Sequence, residues 1–177
     1  MPLSSVTGAI VMSVALTASV AGGDQSAVPR AILEAGLKKA GCTVPAAEAK
    51  VVGTERLSRR LRIVEVTCWR AAYNTGSILF AVPMRRPHRA RLLSIENWQD
   101  GRFRHGYSIS SPGYDPKTRT LNSSHKARGA GDCGTIEEWK WTGWHFRLLH
   151  VWNKERCDGV PFEWDNRHRW RVYPPRR

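Results

Sequence analysis

The chain has 177 residues, a length that predicts a single domain, and its hydrophobic fraction of 41% is too high for a disordered protein. Lysine and arginine number 28 against 15 aspartate and glutamate residues, so the formal net charge is +13. Such a charge favours anionic partners: nucleic acid, lipopolysaccharide, phospholipid head groups or acidic cell-wall polymers. The charge alone does not distinguish among these partners, and a contribution to solubility explains it equally well.

Residues 1–21 have the pattern of a signal peptide. They contain no charged side chain, and a run of apolar and small residues ends at Ser19-Val20-Ala21. Small residues at the first and third of these positions predict cleavage after Ala21, although no Lys or Arg precedes the apolar run. An uncleaved anchor and a different start codon are the alternatives. We expect a mature chain of residues 22–177 that is periplasmic or secreted, forms a single domain and has no transmembrane span.

A short helix is predicted over residues 27–41, because Pro29 suits its first turn and Gly41 suits a C-cap. After residue 51 the pattern changes to strands. Alternating or β-branched residues predict strands over 61–68, 77–82, 91–96, 105–110, 118–123 and 167–173. The run at 77–82 is continuously apolar, which predicts a central strand buried on both faces.

The clearest local structure is a tryptophan-rich hairpin over residues 136–152. Thr142-Gly143 predicts a two-residue turn, which pairs Trp141 with Trp144 and Glu137 with Leu148. One face of the hairpin then carries the apolar side chains, namely Trp139, Trp141, Trp144, Phe146 and Leu148. Because the opposite face is polar, we expect these aromatic residues to fill a core and not to stack on sugars or bases.

Cysteine usage predicts two disulfides. The four cysteines, Cys42, Cys68, Cys133 and Cys157, are spread over the predicted mature chain, as expected of an exported protein. Three pairings are possible, and we prefer Cys42–Cys68 and Cys133–Cys157 because each joins neighbouring segments. Each of these bonds closes a loop of about 25 residues. The spacing of Cys and His is not that of a metal site, and we predict neither a metal nor another cofactor.

The glycine-rich loop at residues 124–134 is the most unusual segment. Its candidate ligand-binding side chains are His125, Lys126, Arg128 and Asp132, and Tyr73 and Asn74 of an earlier segment are two further candidates. With backbone N–H groups, the cationic side chains could form an anion site. The alternative, which we favour, is a turn that carries Cys133 into its disulfide, with Asp132 paired to Arg128.

Catalytic patterns are absent from the sequence. No nucleophile elbow and no zinc-protease helix motif occurs, and the six histidines have no spacing that implies a site. The sequence therefore gives no positive reason to predict an enzyme.

Three motifs in a fixed order resemble a known family. They are Cys68-Trp-Arg-Ala-Ala-Tyr-Asn74, Ser124-His-Lys-Ala-Arg-Gly-Ala-Gly-Asp-Cys133 and Glu138-Trp-Lys-Trp-Thr-Gly143, followed by Phe146 and Cys157. This order is similar to the C-terminal half of the DUF1176 proteins, which are exported bacterial proteins of unknown function. Two glycines of the family pattern are alanine here, Ala71 and Ala127. The resemblance implies a Gram-negative periplasmic location and paired cysteines, and it assigns no catalytic or ligand residues.

These observations predict an α+β fold: a short N-terminal helix packed on a mostly antiparallel sheet of about six strands, stapled by disulfides. We expect a non-enzymatic periplasmic binding or inhibitor-type module that contacts an anionic envelope component or a protein. Export makes nucleic acid an unexpected partner. The alternative is an envelope hydrolase at the loop 124–134, for which Tyr73, Asn74, His125 and Asp132 would have to converge on one pocket.

Overall fold

The computed structural model describes residues 28–174, and the predicted signal peptide lies outside that range. Within it the chain forms one α-helix, two short 3-10 helices and twelve strands. Helix α1 covers Arg30–Ala40, and the 3-10 helices cover Pro87–Arg89 and Arg167–Trp170. The strands are β1 Val51–Arg56, β2 Leu61–Arg70, β3 Thr75–Pro83, β4 Arg91–Leu92, β5 Ile95–Gln99, β6 Arg102–Gly106, β7 Ser108–Ser110, β8 Gly113–Asp115, β9 Thr120–Lys126, β10 Gly134–Trp141, β11 Phe146–Lys154 and β12 Arg171–Tyr173.

Antiparallel pairing arranges these strands in three sheets. The first has the order β1-β2-β3-β4, with β7 also paired to β3, and the second has the order β12-β11-β10-β9-β8. Strands β5 and β6 form a separate two-stranded sheet. The prediction of mostly antiparallel strands with one short helix is confirmed, but the single sheet of about six strands is wrong. The predicted strands 91–96 and 105–110 are each broken in the middle, so each contributes to two different sheets.

The main core lies between the two five-stranded sheets. Its buried residues come from both sheets and from β5, and they include Leu57, Ile63, Leu79, Ala81, Leu93, Ile95, Ile109, Leu121, Trp139, Trp141, Phe146, Leu148 and Val151. Strand β3 is buried on both faces, as its continuous apolar run predicts. Alternate side chains of β3 point to opposite faces, so Leu79 enters this core while Phe80 enters a second one beneath the helix.

Helix α1 covers the outer face of the first sheet. Leu37 is buried there, and Gly36 lies so close to Phe80 that a Cβ at this position would be 2.5 Å from the ring. The helix ends at Gly41, whose φ of 66° is a left-handed conformation that glycine adopts without strain. No helix in residues 28–174 has the length and apolarity needed to cross a membrane.

Two disulfides fasten the ends of secondary-structure elements. Cys42, soon after α1, bonds to Cys68 in β2, and Cys133, directly before β10, bonds to Cys157. These are the pairs preferred from the sequence, and residues 28–174 contain no free cysteine. Disulfides persist in oxidising compartments, which is consistent with a protein outside the cytoplasm.

The tryptophan-rich hairpin has a different register from the predicted one. Trp141 pairs with Phe146 and not with Trp144, because residues 142–145 form a loop closed by hydrogen bonds from Thr142 to the His145 carbonyl. The predicted two-residue turn is therefore wrong. Four of the five predicted core residues are buried: Trp139, Trp141, Phe146 and Leu148. The fifth, Trp144, lies in the loop and is 79% exposed.

Candidate functional site

Two of the sequence motifs meet where the side chain of Asn74 binds the backbone of Lys126. Asn74, in the turn between β2 and β3, is buried against the end of β9. Its Nδ2 donates to the Lys126 carbonyl at 2.8 Å, and its Oδ1 accepts from the Lys126 N–H at 2.9 Å. The ring of Tyr73 lies against Gly129, where a Cβ would be 2.5 Å from it. The absence of a side chain at Gly129 therefore lets the tyrosine cover the glycine-rich loop.

Asp132 is the centre of hydrogen bonding in the glycine-rich loop. Its buried carboxylate accepts hydrogen bonds from Arg128 Nε at 2.7 Å, from Arg128 Nη2 at 2.5 Å and from the Gly159 N–H at 2.6 Å. The Arg128 guanidinium, and to a smaller degree the Gly159 N–H, holds the pKa of Asp132 well below its usual range. These bonds join the loop to the segment after β11, beside the disulfide of Cys133. This is the geometry that the structural interpretation of the loop predicts.

One cluster of potential metal ligands occurs in the described part of the chain. Its members are Asp132, Cys133 and Cys157, whose ligand atoms lie within 4.8 Å of one another. Both sulfurs belong to the disulfide, whereas metals bind thiolates. The cluster therefore gives no support to a metal centre.

The six candidate ligand-binding residues do not form one site. Three of them are occupied by hydrogen bonds within the protein: Asn74, Arg128 and Asp132. Tyr73 and Lys126 are exposed on the surface of the loop region. Of the six, His125 alone lines the cleft described below. The cleft that contains His125 therefore does not include the other three residues that the hydrolase alternative requires, Tyr73, Asn74 and Asp132.

A cleft of about 420 Å³ lies where the three sheets meet. Its lining comes from the end of β2, from β5, β7, β9 and β10, and from the turn after β5: Trp69, Asn97, Trp98, Gln99, Asp100, Ser108, Ile109, Ser110, Ser123, His125, Thr135 and Glu137. The pairing of β9 with β10 places Ser123 opposite Glu137 and His125 opposite Thr135. Directly paired residues point to the same face of a sheet, so these four side chains form one wall of the cleft.

Glu137 is a buried carboxyl group on this wall. Its Oε1 accepts a hydrogen bond from the Trp98 N–H at 2.6 Å, and its Oε2 accepts one from the Ser123 hydroxyl at 3.3 Å. Neither donor is charged, and burial raises the pKa of Glu137 to about 7. Its protonation state therefore changes near neutral pH.

Two further polar atoms of the cleft have no hydrogen-bond partner among the described residues. They are Asn97 Oδ1 and Ser110 Oγ. Asn97 is only 5% exposed, and its Nδ2 donates to the Ser108 carbonyl at 3.3 Å. A buried polar atom without a partner costs about 1–3 kcal/mol. Both atoms have almost no accessible surface, so they add to the polarity around the cleft without offering a contact to a ligand.

Sequence reasoning missed Glu137 as a site residue. The predicted hairpin paired it with Leu148, whereas the loop and a bulge after Glu138 make Val151 its partner. A signal was present, because Glu137 precedes Trp139 and Trp141 at alternate positions and so shares their buried face of β10. A carboxyl group on the apolar face of a strand is the pattern that points to this cleft.

The opposite end of the first sheet is strongly basic. The turn between β1 and β2 meets the end of β3, where the Met84 N–H donates to the Arg60 carbonyl at 3.0 Å. This end of the sheet carries seven exposed arginines, and we call it the arginine end. The seven are Arg56, Arg59, Arg60, Arg85, Arg86, Arg89 and Arg91. None of the seven forms an ion pair with a carboxylate in residues 28–174. No Asp or Glu occurs in the segments 56–62 and 83–91.

Trp144 adds an exposed aromatic ring to the arginine end. Arg91 donates through Nη2 to the Trp144 carbonyl, which brings the loop 142–145 beside the arginines. Trp144 is 79% exposed and Met84 is 40% exposed. Guanidinium groups and large apolar side chains therefore share one surface.

These features define a disulfide-bonded, mostly β protein with a basic end and a separate polar cleft. The chain belongs to the family described as "Protein of unknown function (DUF1176)", whose model matches residues 9–173, and the family predicted from the three motifs is confirmed. It is similar to "Uncharacterized protein YpfG" of Escherichia coli (strain K12), with 27% identity over 97 residues. That match covers 54% of this chain and only 28% of the relative's length. No solved structure matches the chain.

Proposed function

We propose that this protein is a non-enzymatic binding module of the bacterial envelope whose arginine end binds the phosphate groups of anionic lipids. The observation that supports it is the gathering of seven exposed arginines that lack carboxylate partners in the described part of the chain. A guanidinium group presents a planar set of donors that matches phosphate in a bidentate manner. Because no acidic residue interrupts these segments, their positive potential adds up.

A periplasmic or secreted location fits this function. Two disulfides and the signal-peptide pattern of residues 1–21 support export. A protein in the periplasm meets phosphate-bearing head groups of phospholipids and of lipopolysaccharide. The proposed ligand and the proposed compartment are therefore compatible.

The exposed side chain of Trp144 favours a lipid over a soluble acidic polymer. Tryptophan is enriched where proteins meet the membrane–water interface, because its ring is apolar and its N–H is polar. A soluble polymer would be attracted by charge alone and would gain little from Trp144 or Met84. Trp144→Ala is therefore expected to weaken binding to anionic vesicles and to leave binding to heparin, a soluble polyanion, unchanged.

Vesicle co-sedimentation tests the proposal. The purified protein is mixed at low salt with vesicles that contain phosphatidylglycerol and, separately, with vesicles of phosphatidylcholine alone. We expect sedimentation with the anionic vesicles only. Binding should weaken as salt is raised, because the screening length falls to about 8 Å at physiological ionic strength. Equal binding to both vesicles, or binding that salt does not affect, contradicts the proposal.

A matched pair of variants locates the binding surface. The test variant removes four charges from the arginine end: Arg59→Gln, Arg60→Gln, Arg85→Gln and Arg86→Gln. The control removes four charges from other exposed positions: Arg102→Gln, Arg104→Gln, Arg156→Gln and Arg169→Gln. Each cation near an anionic membrane contributes about 1 kcal/mol, so the test variant should lose at least about tenfold more affinity than the control. An equal loss in both variants would show that the charge acts without a specific surface.

A further inference from the structure

A second candidate site lies far from the arginine end, in the cleft that contains Glu137. The arginine end lies at one end of strands β2 and β3. Trp69, which lines the cleft, lies near the turn at the other end of these strands, which holds Asn74. The cleft also differs in charge. Its ionisable lining residues are Asp100, His125 and Glu137, and it includes no Lys or Arg, in a chain that has 28 of them.

The cleft offers hydrogen-bond acceptors that the protein itself leaves incompletely satisfied. The carboxyl group of Glu137 receives hydrogen bonds from neutral donors only. Asp100 adds a second carboxylate at the turn after β5. A buried carboxylate without a counter-charge is costly. A ligand that completes this cleft therefore has to bring N–H donors and positive charge.

Two tryptophans complete the lining of the cleft. Trp69 is held in place because its Nε1 donates to Ser108 Oγ at 2.6 Å and its ring lies against Gly76, where a Cβ would be 1.9 Å away. The backbone N–H of Trp98 donates to Glu137, and the ring of Trp98 packs edge-on against Phe103 with centroids 4.9 Å apart. Indole rings attract organic cations. Carboxylate and indole groups together form an environment suited to an ammonium group.

We propose that this cleft binds a small organic ammonium compound, whose N–H groups donate to the Glu137 carboxylate while its carbon skeleton contacts the two tryptophans. The volume of about 420 Å³ lies within the range of about 300–1,000 Å³ that is usual for small-molecule sites. A neutral ligand of the same shape leaves Glu137 without a counter-charge and binds more weakly. The site is independent of lipid binding at the arginine end.

Calorimetric titration with matched ligands tests the proposal. The probes are cadaverine against its diol analogue, and ethanolamine against ethylene glycol, at about pH 8, where Glu137 is ionised and both amines are protonated. We expect at least one amine to bind and its neutral counterpart to bind at least about tenfold more weakly. If neither amine binds, or if an amine and its neutral counterpart bind equally, the proposal is overturned.

Two neighbouring glutamates provide a matched pair of variants. Glu137→Gln keeps the size of the side chain and removes its charge, and it should weaken amine binding at least about tenfold. Glu138→Gln removes the same charge on the other face of β10, where the carboxylate lies 3.3 Å from His150 Nδ1, and it should not change the affinity. Asp100→Asn changes only an exposed turn residue and should weaken binding about two- to fivefold. Unchanged affinity in Glu137→Gln, or an equal loss in Glu138→Gln, would show that the assignment is wrong.

Discussion

At the residue scale, Glu137 shows how its surroundings change the chemistry of a common side chain. It is bound by the Trp98 N–H and the Ser123 hydroxyl, and it forms no ion pair in the described part of the chain. The other titratable residues that line its cleft are His125 of β9 and Asp100 of the turn after β5. The cost of burying the charge exceeds the gain from the two hydrogen bonds, so the pKa rises from 4.5 to about 7.

We predict that Glu137 makes the protein less stable as the pH rises. The folded state keeps the proton of Glu137 up to about pH 7, whereas the unfolded chain releases it near pH 4.5. The free energy of unfolding therefore loses about 3 kcal/mol across this interval and no more above it. Urea unfolding of the wild type and of Glu137→Gln at about pH 5 and about pH 8 measures this contribution. Between these two pH values the variant should lose about 2–3 kcal/mol less than the wild type. Identical pH dependence would mean that Glu137 titrates alike in both states.

At the scale of secondary-structure elements, local sequence patterns predict the existence of an element better than its partners. The helix predicted at 27–41 is observed at Arg30–Ala40, and the apolar run at 77–82 lies in the central strand β3. The predicted strand at 91–96 divides between two sheets because Leu93 enters the main core while the residues on either side pair with different strands. Such pairing depends on tertiary contacts, which alternation along one strand does not contain.

The contact between α1 and β3 carries a prediction about Gly36. In an exposed helix, replacing glycine by alanine stabilises by about 1 kcal/mol. Here the new Cβ would lie 2.5 Å from Cζ of Phe80, a ring that is completely buried. Overpacking of this kind costs about 1–3 kcal/mol, so Gly36→Ala should lower the free energy of unfolding by about 1 kcal/mol. Thermal or urea unfolding measures the change.

The same substitution in a Phe80→Leu background is the control for this contact. Leucine lacks the ring atoms that the new Cβ would meet, so Gly36→Ala should there be neutral or stabilising. The two substitutions are in contact and their effects should not add. A stabilising effect of Gly36→Ala in the wild type would show that the helix does not rest on the Phe80 ring.

At the scale of the whole molecule, both proposed binding surfaces combine segments that are distant in the sequence. The segments 56–60 and 85–91 become neighbours because the hairpin of β2 and β3 returns the chain to its starting end. The composition gives a net charge of +13 but not its location. The fold gathers seven of the 28 basic residues at the arginine end and places no Lys or Arg in the lining of the cleft. The cleft draws on all three sheets, so a sequence pattern within β10 can point to Glu137 but not to the rest of the lining. The motifs that were recognisable mark contacts that hold loops together, such as Asn74 with Lys126.

The shared core between the two five-stranded sheets predicts that the folded part of the protein unfolds in one cooperative transition. Buried residues of both sheets form a single cluster, so one sheet cannot separate without exposing the apolar face of the other. Removing either disulfide should therefore shift the same transition. Two double variants remove one disulfide each: Cys42→Ala with Cys68→Ala, and Cys133→Ala with Cys157→Ala. The two bonds join residues 26 and 24 positions apart, and each double variant should lower the free energy of unfolding by about 3 kcal/mol. Circular dichroism and tryptophan fluorescence should give the same midpoint for each variant. Two separate transitions, or a shift seen by one probe alone, would show that the sheets unfold independently.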